Sequence, residues 1–321
     1  MACNEDIPLG LSIADKLFSI KDYGETHHLL RLFGLKIKFP KAEFAKKRKE
    51  NPYYYYKKNN IDITTIPPAT GQIRDIQLAN LALLKELDYV CKQNNLKYWL
   101  DAGNLIGAIR HKGYIPWDDD MDVSMERNDY EKIIEVFRKF SRNPDIFAGY
   151  VRDKNDNYII KIQHRKCSHV FVDIFPWDSY GKSLSTEEQV LKTTEIKEIR
   201  QGFKNLKLSD NDLKTLLDKT MKEKVLSGGN DEKSDFIWGI DYNHQWENWF
   251  TRYELVYPLK TIEFEGMNVS CMNNPDAFLK RVYGDYMQYP KKIGMGHSMF
   301  LNLTDEEKQV IKELKERVQN G

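Results

Sequence analysis

A chain of 321 residues is long enough for one large domain, or for a core domain with a smaller appendage. Its 49 basic and 48 acidic residues leave a formal charge of +1 and a pI near 7.6, which argues against a polyanionic partner such as nucleic acid. Mean hydropathy is −0.63, and no stretch reaches the roughly 18 consecutive apolar residues that a membrane-spanning helix needs. Asn4, Glu5 and Asp6 stand where a secretory signal would carry basic and then apolar residues, so a cytoplasmic location is expected. Cys3, Cys91, Cys167 and Cys271 are scattered without a CxxC pair and read as reduced thiols.

In chain order, residues 1–40 alternate apolar and basic side chains around Leu29–Phe39, a period that predicts a short hairpin with one buried face. Residues 41–58 are basic and carry Tyr53 to Tyr56. They suit either peripheral contact with an anionic membrane face or a solvated helix or linker. Ile66-Pro67-Pro68 marks a break, closing an N-terminal extension over residues 1–66. Ile76, Leu78, Leu81, Leu84, Leu87 and Val90 then recur at near-helical spacing and predict an amphipathic helix from Gln72 to Gln93. A strand at Lys97–Asp101, a glycine turn at Gly103 and a helix at Leu105–His111 lead to a strand at Asp120–Ser124. A helix at Asn128–Phe140 and strands at Tyr158–Gln163 and His169–Phe175 follow. Residues 185–226 read as helical, Gly228–Asp231 as a turn, and Asn274–Tyr283 and Thr304–Val318 as helices. Thr304 and Glu307 have capping-box spacing.

The chemistry concentrates in four carboxylates within five positions, Asp118, Asp119, Asp120 and Asp122. Such crowding is unfavourable unless a cation or paired bases neutralise it. On a strand, Asp120 and Asp122 would share one face and offer hard oxygen ligands to Mg²⁺ or Mn²⁺. Asp173, in an apolar frame, would add a third carboxylate from a neighbouring strand, either as a metal ligand or as the base for an attacking hydroxyl. An EF-hand is excluded because its required Gly and Glu positions hold Val123 and Asp129. Gly103 would let a phosphate approach the backbone at a helix start. Arg110, His111 and Lys112 offer positive charge either to a diphosphate or to the carboxylates, and Arg165 and Lys166 are further candidates. His297 would donate to phosphate or sit on the surface. Trp117 and Trp177 flank the carboxylates as rings for a quaternary ammonium or as core. Trp238, Tyr242, Trp246 and Trp249 form a second aromatic set.

The run Leu100-Asp101-Ala-Gly103, Gly107, Arg110-His111-Lys112-Gly113, Pro116-Trp117-Asp118-Asp119-Asp120-Met-Asp122 resembles the signature of the LicD/fukutin-type phosphotransferases, of the nucleotidyltransferase-fold superfamily. The likeness extends through Val172-Asp173, Pro176-Trp-Asp178, Tyr257-Pro258, Glu263-Phe-Glu265-Gly266 and Tyr283-Gly284-Asp285-Tyr286. Asn104 departs from the Ser or Thr usual after the turn glycine, yet can still donate to a phosphate. The resemblance implies an α/β fold, a nucleotidyltransferase-like mixed sheet flanked by helices. A catalytic domain over 67–300 would have a helical, aromatic-rich C-terminal half, with a last helix over 301–321. It implies a catalytic set of Asp118, Asp120, Asp122 and Asp173, with the last three on Mg²⁺ or Mn²⁺. It further implies transfer of a phospho-alcohol from a CDP-activated donor, CDP-choline foremost, to a glycan or lipid-linked oligosaccharide acceptor at the inner face of the membrane, releasing CMP. CDP-ribitol, CDP-glycerol or CDP-ethanolamine as donor, nucleotidyl transfer from a nucleoside triphosphate, and a non-catalytic scaffold are the rival readings.

Overall fold

The computed structural model describes residues 18–23, 27–32, 35–40, 52–204, 206–226, 231–291, 293 and 301–319. Residues 41–51 of the basic stretch, Gly228–Asn230 of the expected turn, and His297 lie outside the described residues. The chain falls into two units, Met1–Ile61 and Asp62–Gly321. In the first, β1 (Phe18–Tyr23), β2 (His27–Leu32) and β3 (Leu35–Pro40) pair antiparallel in that order, followed by α1 (Pro52–Lys58). The expected hairpin is therefore the β2–β3 half of a three-stranded meander. β1 (FSIKDY) adds a third strand to the expected hairpin.

The second unit is built around a seven-stranded mixed sheet flanked by helices. Its leading helix, α2 (Gly71–Asn94), stops where Asn95 turns left-handed at φ 54° and its N–H bonds Cys91 O. β4 (Trp99–Leu100) is only two residues long because α3 (Ala102–His111) begins earlier than Gly103 predicts. β5 (Asp122–Glu126) leads into α4 (Arg127–Phe140), which buries Tyr130, Ile133 and Phe137 at helical spacing. β6 (Ile146–Arg152), β7 (Tyr158–His164) and the 13-residue β8 (Cys167–Ser179) complete the centre. Strand order is β10-β9-β8-β5-β4, with β7 on the other edge of the first half of β8 and β6 beyond it.

β8 organises everything else. Residues 173–177 pair parallel with β5, placing Asp173 directly opposite Asp122. Its first half pairs antiparallel with β7, which puts Lys161 opposite Asp173 on the other side. The helical stretch at 185–226 resolves into α5 (Thr186–Phe203), started by a Ser185–Glu188 capping box, and α6 (Asp210–Lys224), capped by Ser209. Five short elements were not read from the sequence. They are β9 (Phe236–Trp238) with β10 (Phe250–Thr251), the short α7 (Tyr253–Val256), and the hairpin β11 (Lys260–Phe264)–β12 (Met267–Cys271). α8 (Pro275–Tyr283) takes Asn274 as cap and Pro275 in its first turn. α9 (Asp305–Gln319) starts on the Thr304–Glu307 box and packs on α2 and β8. No helix among the described residues is long and apolar enough to cross a membrane.

Candidate active site

The acidic loop between α3 and β5 is held in place by three side-chain amides. Gln77 Nε2, buried in α2, donates to Asp118 O at 2.7 Å and Ile115 O at 3.3 Å. One turn on, Asn80 Nδ2 donates to Asp119 O at 2.8 Å while its Oδ1 accepts the Phe171 N–H of β8, also at 2.8 Å. Asn104 Nδ2 donates to Asp120 O at 3.1 Å and its Oδ1 accepts the Asp122 N–H at 2.6 Å. Asn104, expected to donate to a phosphate, thus commits its amide to the backbone around Asp120–Asp122. Asp120 itself lies ahead of β5 rather than in it, although Asp173 N–H still bonds Met121 O at 2.8 Å and extends the pairing by one residue.

The result is a concentration of negative charge where the start of β5 begins its parallel pairing with the middle of β8. Carboxylate oxygens of Asp118, Asp119 and Asp120 lie within 4.8 Å of one another. Burial first, then the charges of Asp120, Asp173, Asp118 and Asp101, hold the Asp122 carboxyl well above the ordinary carboxylate range. Burial likewise pushes Asp173 up to about 6, even though Lys161 Nζ lies 2.7 Å from its Oδ1 and pulls the other way. The strand expected at Tyr158–Gln163 contains Lys161, but nothing local singled it out as the cation opposite Asp173.

Gly103 brings its bare backbone against the acidic loop. It sits in the first turn of α3, where an added Cβ would collide with Asp118 Oδ2. The bare backbone at this helix start thus admits one of the protein's own carboxylates. Beside it, Ala102 is left-handed at φ 47°, which costs a non-glycine residue about 1 kcal/mol, and its N–H bonds Asp101 Oδ1 at 2.7 Å. Gly103→Ala is expected to displace Asp118 and cut activity at least about tenfold. The unfolding midpoint should move little, because the clash is with a side-chain oxygen rather than with backbone. Parallel activity and thermal-melt measurements test this, and full activity would show that the position of Asp118 is immaterial.

Asp101, not singled out from sequence, is fully buried beneath the cluster. It accepts from Ser124 Oγ at 2.6 Å, and that hydroxyl accepts from Trp177 Nε1 at 2.9 Å. Burial raises Asp101 to about 6 against the pull of these hydrogen bonds. Trp177 is consequently a core residue, 1% exposed, with no face for a quaternary ammonium. Trp117 is also buried, stacked on Tyr289 with the Arg110 guanidinium 5.7 Å from its ring centroid.

The basic trio separates. Arg110 is buried and donates from Nη1 to Tyr286 O at 2.7 Å and from Nε to His111 Nε2 at 3.0 Å. Burial, then Arg110, depress His111 to about 4, so it is neutral near pH 7. Lys112 pairs at the surface with Glu263, 3.3 Å away. Arg165 lies in the β7–β8 turn, donating to Pro144 O, four residues along the strand from Lys161 and so roughly 13 Å from the carboxylates. The structure does not bring it to the site. Glu265 serves the fold, taking Arg74 in a two-pronged contact at 2.9 and 2.6 Å and accepting the Tyr114 N–H.

A cleft of about 360 Å³ opens on these groups, lined by Asp120, Asp173, Lys161, Asp153, Phe171 and Tyr242 among others. A larger cavity, about 600 Å³, lies between α2 and α9 and contains none of the clustered carboxylates, so size does not locate the chemistry here. Beyond Tyr242, the ring of His244 packs 3.6 Å from Trp246, and its Nδ1 accepts the Trp246 N–H at 3.0 Å. Burial, then Lys197, lower the His244 pKa to about 4, against an unfolded value near 6.5. The unfolded state therefore binds the proton first. The stabilising contribution of His244 is complete above pH 6.5 and lost as pH falls toward 4. The stability difference between wild type and His244→Gln should shrink by about 1–2 kcal/mol over that window, allowing for partial solvent access. Urea titrations at each pH would read it, and a pH-independent difference would contradict it.

Residues 95–211 match the family model described as LicD/FKTN/FKRP, nucleotidyltransferase domain. The chain is 28% identical to the lipopolysaccharide cholinephosphotransferase LicD of Haemophilus influenzae over 247 residues, 68% of this chain and 92% of that protein. It is 32% identical over 93 residues to an uncharacterised protein of Rickettsia prowazekii, 29% of this chain and 31% of that one. Against human ribitol 5-phosphate transferase FKRP the figure is 28% over 89 residues, 27% of this chain and 18% of the human protein.

Proposed function

Because the chain belongs to the LicD/FKTN/FKRP nucleotidyltransferase family, we propose that it transfers phosphocholine from CDP-choline to a hydroxyl of a cell-surface glycan precursor. The observation that carries this reading is the in-register placement of Asp122 and Asp173 on parallel strands, with Asp118 and Asp120 beside them. Hard oxygen donors this crowded, with Asp120 raising both Asp122 and Asp173, fit a divalent cation, with Asp120, Asp122 and Asp173 as its holders. Mg²⁺ or Mn²⁺ bound there would neutralise the diphosphate and the charge that develops on the leaving nucleotide.

In this reaction the acceptor oxygen bonds to the phosphorus that bears choline. The bond from that phosphorus to the bridging oxygen breaks, and CMP leaves with that oxygen. Where Asp120 and Asp122 hold the cation without it, Asp173 would take the hydroxyl proton, and Lys161, 2.7 Å away, favours the ionised carboxylate that accepts it. Lys161 also borders the cleft, where it offers a positive charge to a phosphate oxygen. The alignment with the cholinephosphotransferase spans nearly all of that protein, which favours choline; the FKRP alignment supports ribitol phosphate as the second reading.

The test is a thermal-shift panel of CDP-alcohols with Mg²⁺, followed by product analysis with an acceptor extract. A donor held at about 100 Kd should add roughly 2.7 kcal/mol to stability. A Mg²⁺-dependent shift with CDP-choline, and CMP as product, are expected. A shift with CDP-ribitol alone would change the donor. Shifts only with nucleoside triphosphates, and pyrophosphate as product, would replace the reading with nucleotidyl transfer.

A further inference from the structure

The carboxylate cleft does not end at Tyr242. A second pocket of about 250 Å³ adjoins it, sharing Asn157 and Tyr242 as a common wall, and its chemistry is different. Among the described residues, no carboxylate and no aliphatic side chain lines it. Carboxamides dominate, from Asn155, Asn157, Asn243 and Gln245, together with the rings of Tyr242 and His244 and one ammonium, Lys204.

Asn157 is the fixed part of this pocket. It is buried, donates from Nδ2 to Asp153 Oδ2 at 2.9 Å, and accepts the Asn243 N–H on Oδ1 at 2.8 Å. It thereby joins the β6–β7 loop to the loop after β9. The side chains of Asn155, Asn243 and Gln245 make no hydrogen bond to other described residues, so their amides remain available to a ligand. The His244 ring, with Nδ1 accepting from Trp246, keeps its proton on Nε2 and adds a donor.

We propose that this pocket holds the acceptor sugar, a hexose or N-acetylhexosamine ring, and that the shared Asn157–Tyr242 wall sets its hydroxyl against the carboxylate cleft. The inference rests on the transferase reading above and locates its second substrate. Each carboxamide presents a donor and an acceptor side by side, which matches neighbouring hydroxyls on a sugar, while an aromatic face covers the C–H face of the ring. A volume of about 250 Å³ lies just below the roughly 300–1,000 Å³ usual for larger small-molecule ligands, and so suits one sugar ring rather than a nucleotide. The lack of carboxylates among its described lining residues separates it from the carboxylate half of the cleft.

The test uses the full chain and a panel of methyl glycosides of common hexoses and N-acetylhexosamines, read by saturation-transfer NMR. At least one glycoside is expected to bind, and Asn243→Ala/Gln245→Ala to weaken it by about tenfold, the loss of one to two hydrogen bonds. Both positions are at the surface or half-buried, and the melting midpoint reports whether the variant folds. Failure of every glycoside to bind the wild type, or equal binding by a folded double variant, would overturn the assignment. Because the glycoside signal needs neither donor nor metal, it is independent of the CDP-alcohol panel. A negative there with a positive here removes the transferase reading and leaves a sugar-binding pocket.

Discussion

Asp122→Asn is expected to abolish transfer and, in the same protein, to raise the melting temperature measured in EDTA. The two effects share one cause. Asp122 stands on β5 facing Asp173 across a parallel pair, with Asp118, Asp120 and Asp101 close enough to disfavour its charge. Its carboxyl is held well above the usual range by burial first, so at neutral pH the ionised form works against the fold. The sign follows from linkage. A carboxyl whose pKa is higher folded than unfolded binds its proton more tightly in the native state, so its ionisation costs stability as pH rises past the unfolded value. Asn keeps the shape and removes that charge. A tenfold difference in proton affinity between the two states is worth about 1.4 kcal/mol, and for a domain of this size each kcal/mol moves the midpoint by about 2–4 °C. A rise of several degrees without metal is the expected outcome. Mg²⁺ should then reverse the ranking, stabilising wild type and leaving the variant unmoved. Activity should fall by more than about a hundredfold, since even residues behind a metal's ligands commonly cost tenfold to a hundredfold. Melting curves with and without Mg²⁺ give both readings at once. A fall in the metal-free midpoint would mean that favourable contacts, rather than crowded charge, dominate at Asp122.

The carboxylates and the flanking helices were legible in the sequence because both are local, while the mixed sheet came through the family resemblance. Four acids in five positions need no fold to be noticed, and α2 and α4 announce themselves by spacing. Partners that arrive from far along the chain were not legible. Lys161 faces Asp173 only because β7 and β8 pair in one register, and a one-residue slip would turn it to the opposite face of the sheet. Tyr242 reaches the cleft from a loop that has no periodicity. Gln77 and Asn80 did leave a trace, as polar residues on the otherwise apolar stripe of α2; buried amides on such a stripe need partners, and here the partners are the acidic loop. Trp177 illustrates the opposite error. Adjacency to Asp178 and Asp173 in sequence suggested a ligand-facing ring, but on a central strand flanked by β5 and β9 its side chain packs among Trp99, Trp238 and Phe278.

Arg127→Ala is expected to cost about 3–5 kcal/mol, the usual penalty for breaking a buried ion pair, and to leave little folded protein at physiological temperature. Its guanidinium grips Asp178 with Nε and Nη2 at 2.7 and 2.8 Å and Asp241 with Nη1 and Nη2 at 3.2 and 2.5 Å. Burial opposes the charge, but the two carboxylates outweigh it and hold the proton more firmly than usual. Asp178 and Asp241 are 0% and 2% exposed, so removing Arg127 strands two charges with no access to water. Gly239 belongs to the same construction, since a Cβ there would meet both Pro176 and the Arg127 guanidinium. The position of this triad gives it a functional consequence. Arg127 directly follows β5, Asp178 lies near the end of β8, and Asp241 precedes Tyr242, so the triad fixes the strands that carry Asp122 and Asp173 together with the loop that walls the cleft. Arg127→Lys should separate the two roles. One ammonium keeps a positive charge near both acids but cannot reproduce the fork. That variant is expected to fold with a lowered urea midpoint and to lose activity beyond what the remaining folded fraction explains. If instead Arg127→Ala unfolds at the wild-type urea concentration, the triad is dispensable, and the alignment of the two carboxylate strands must come from packing alone.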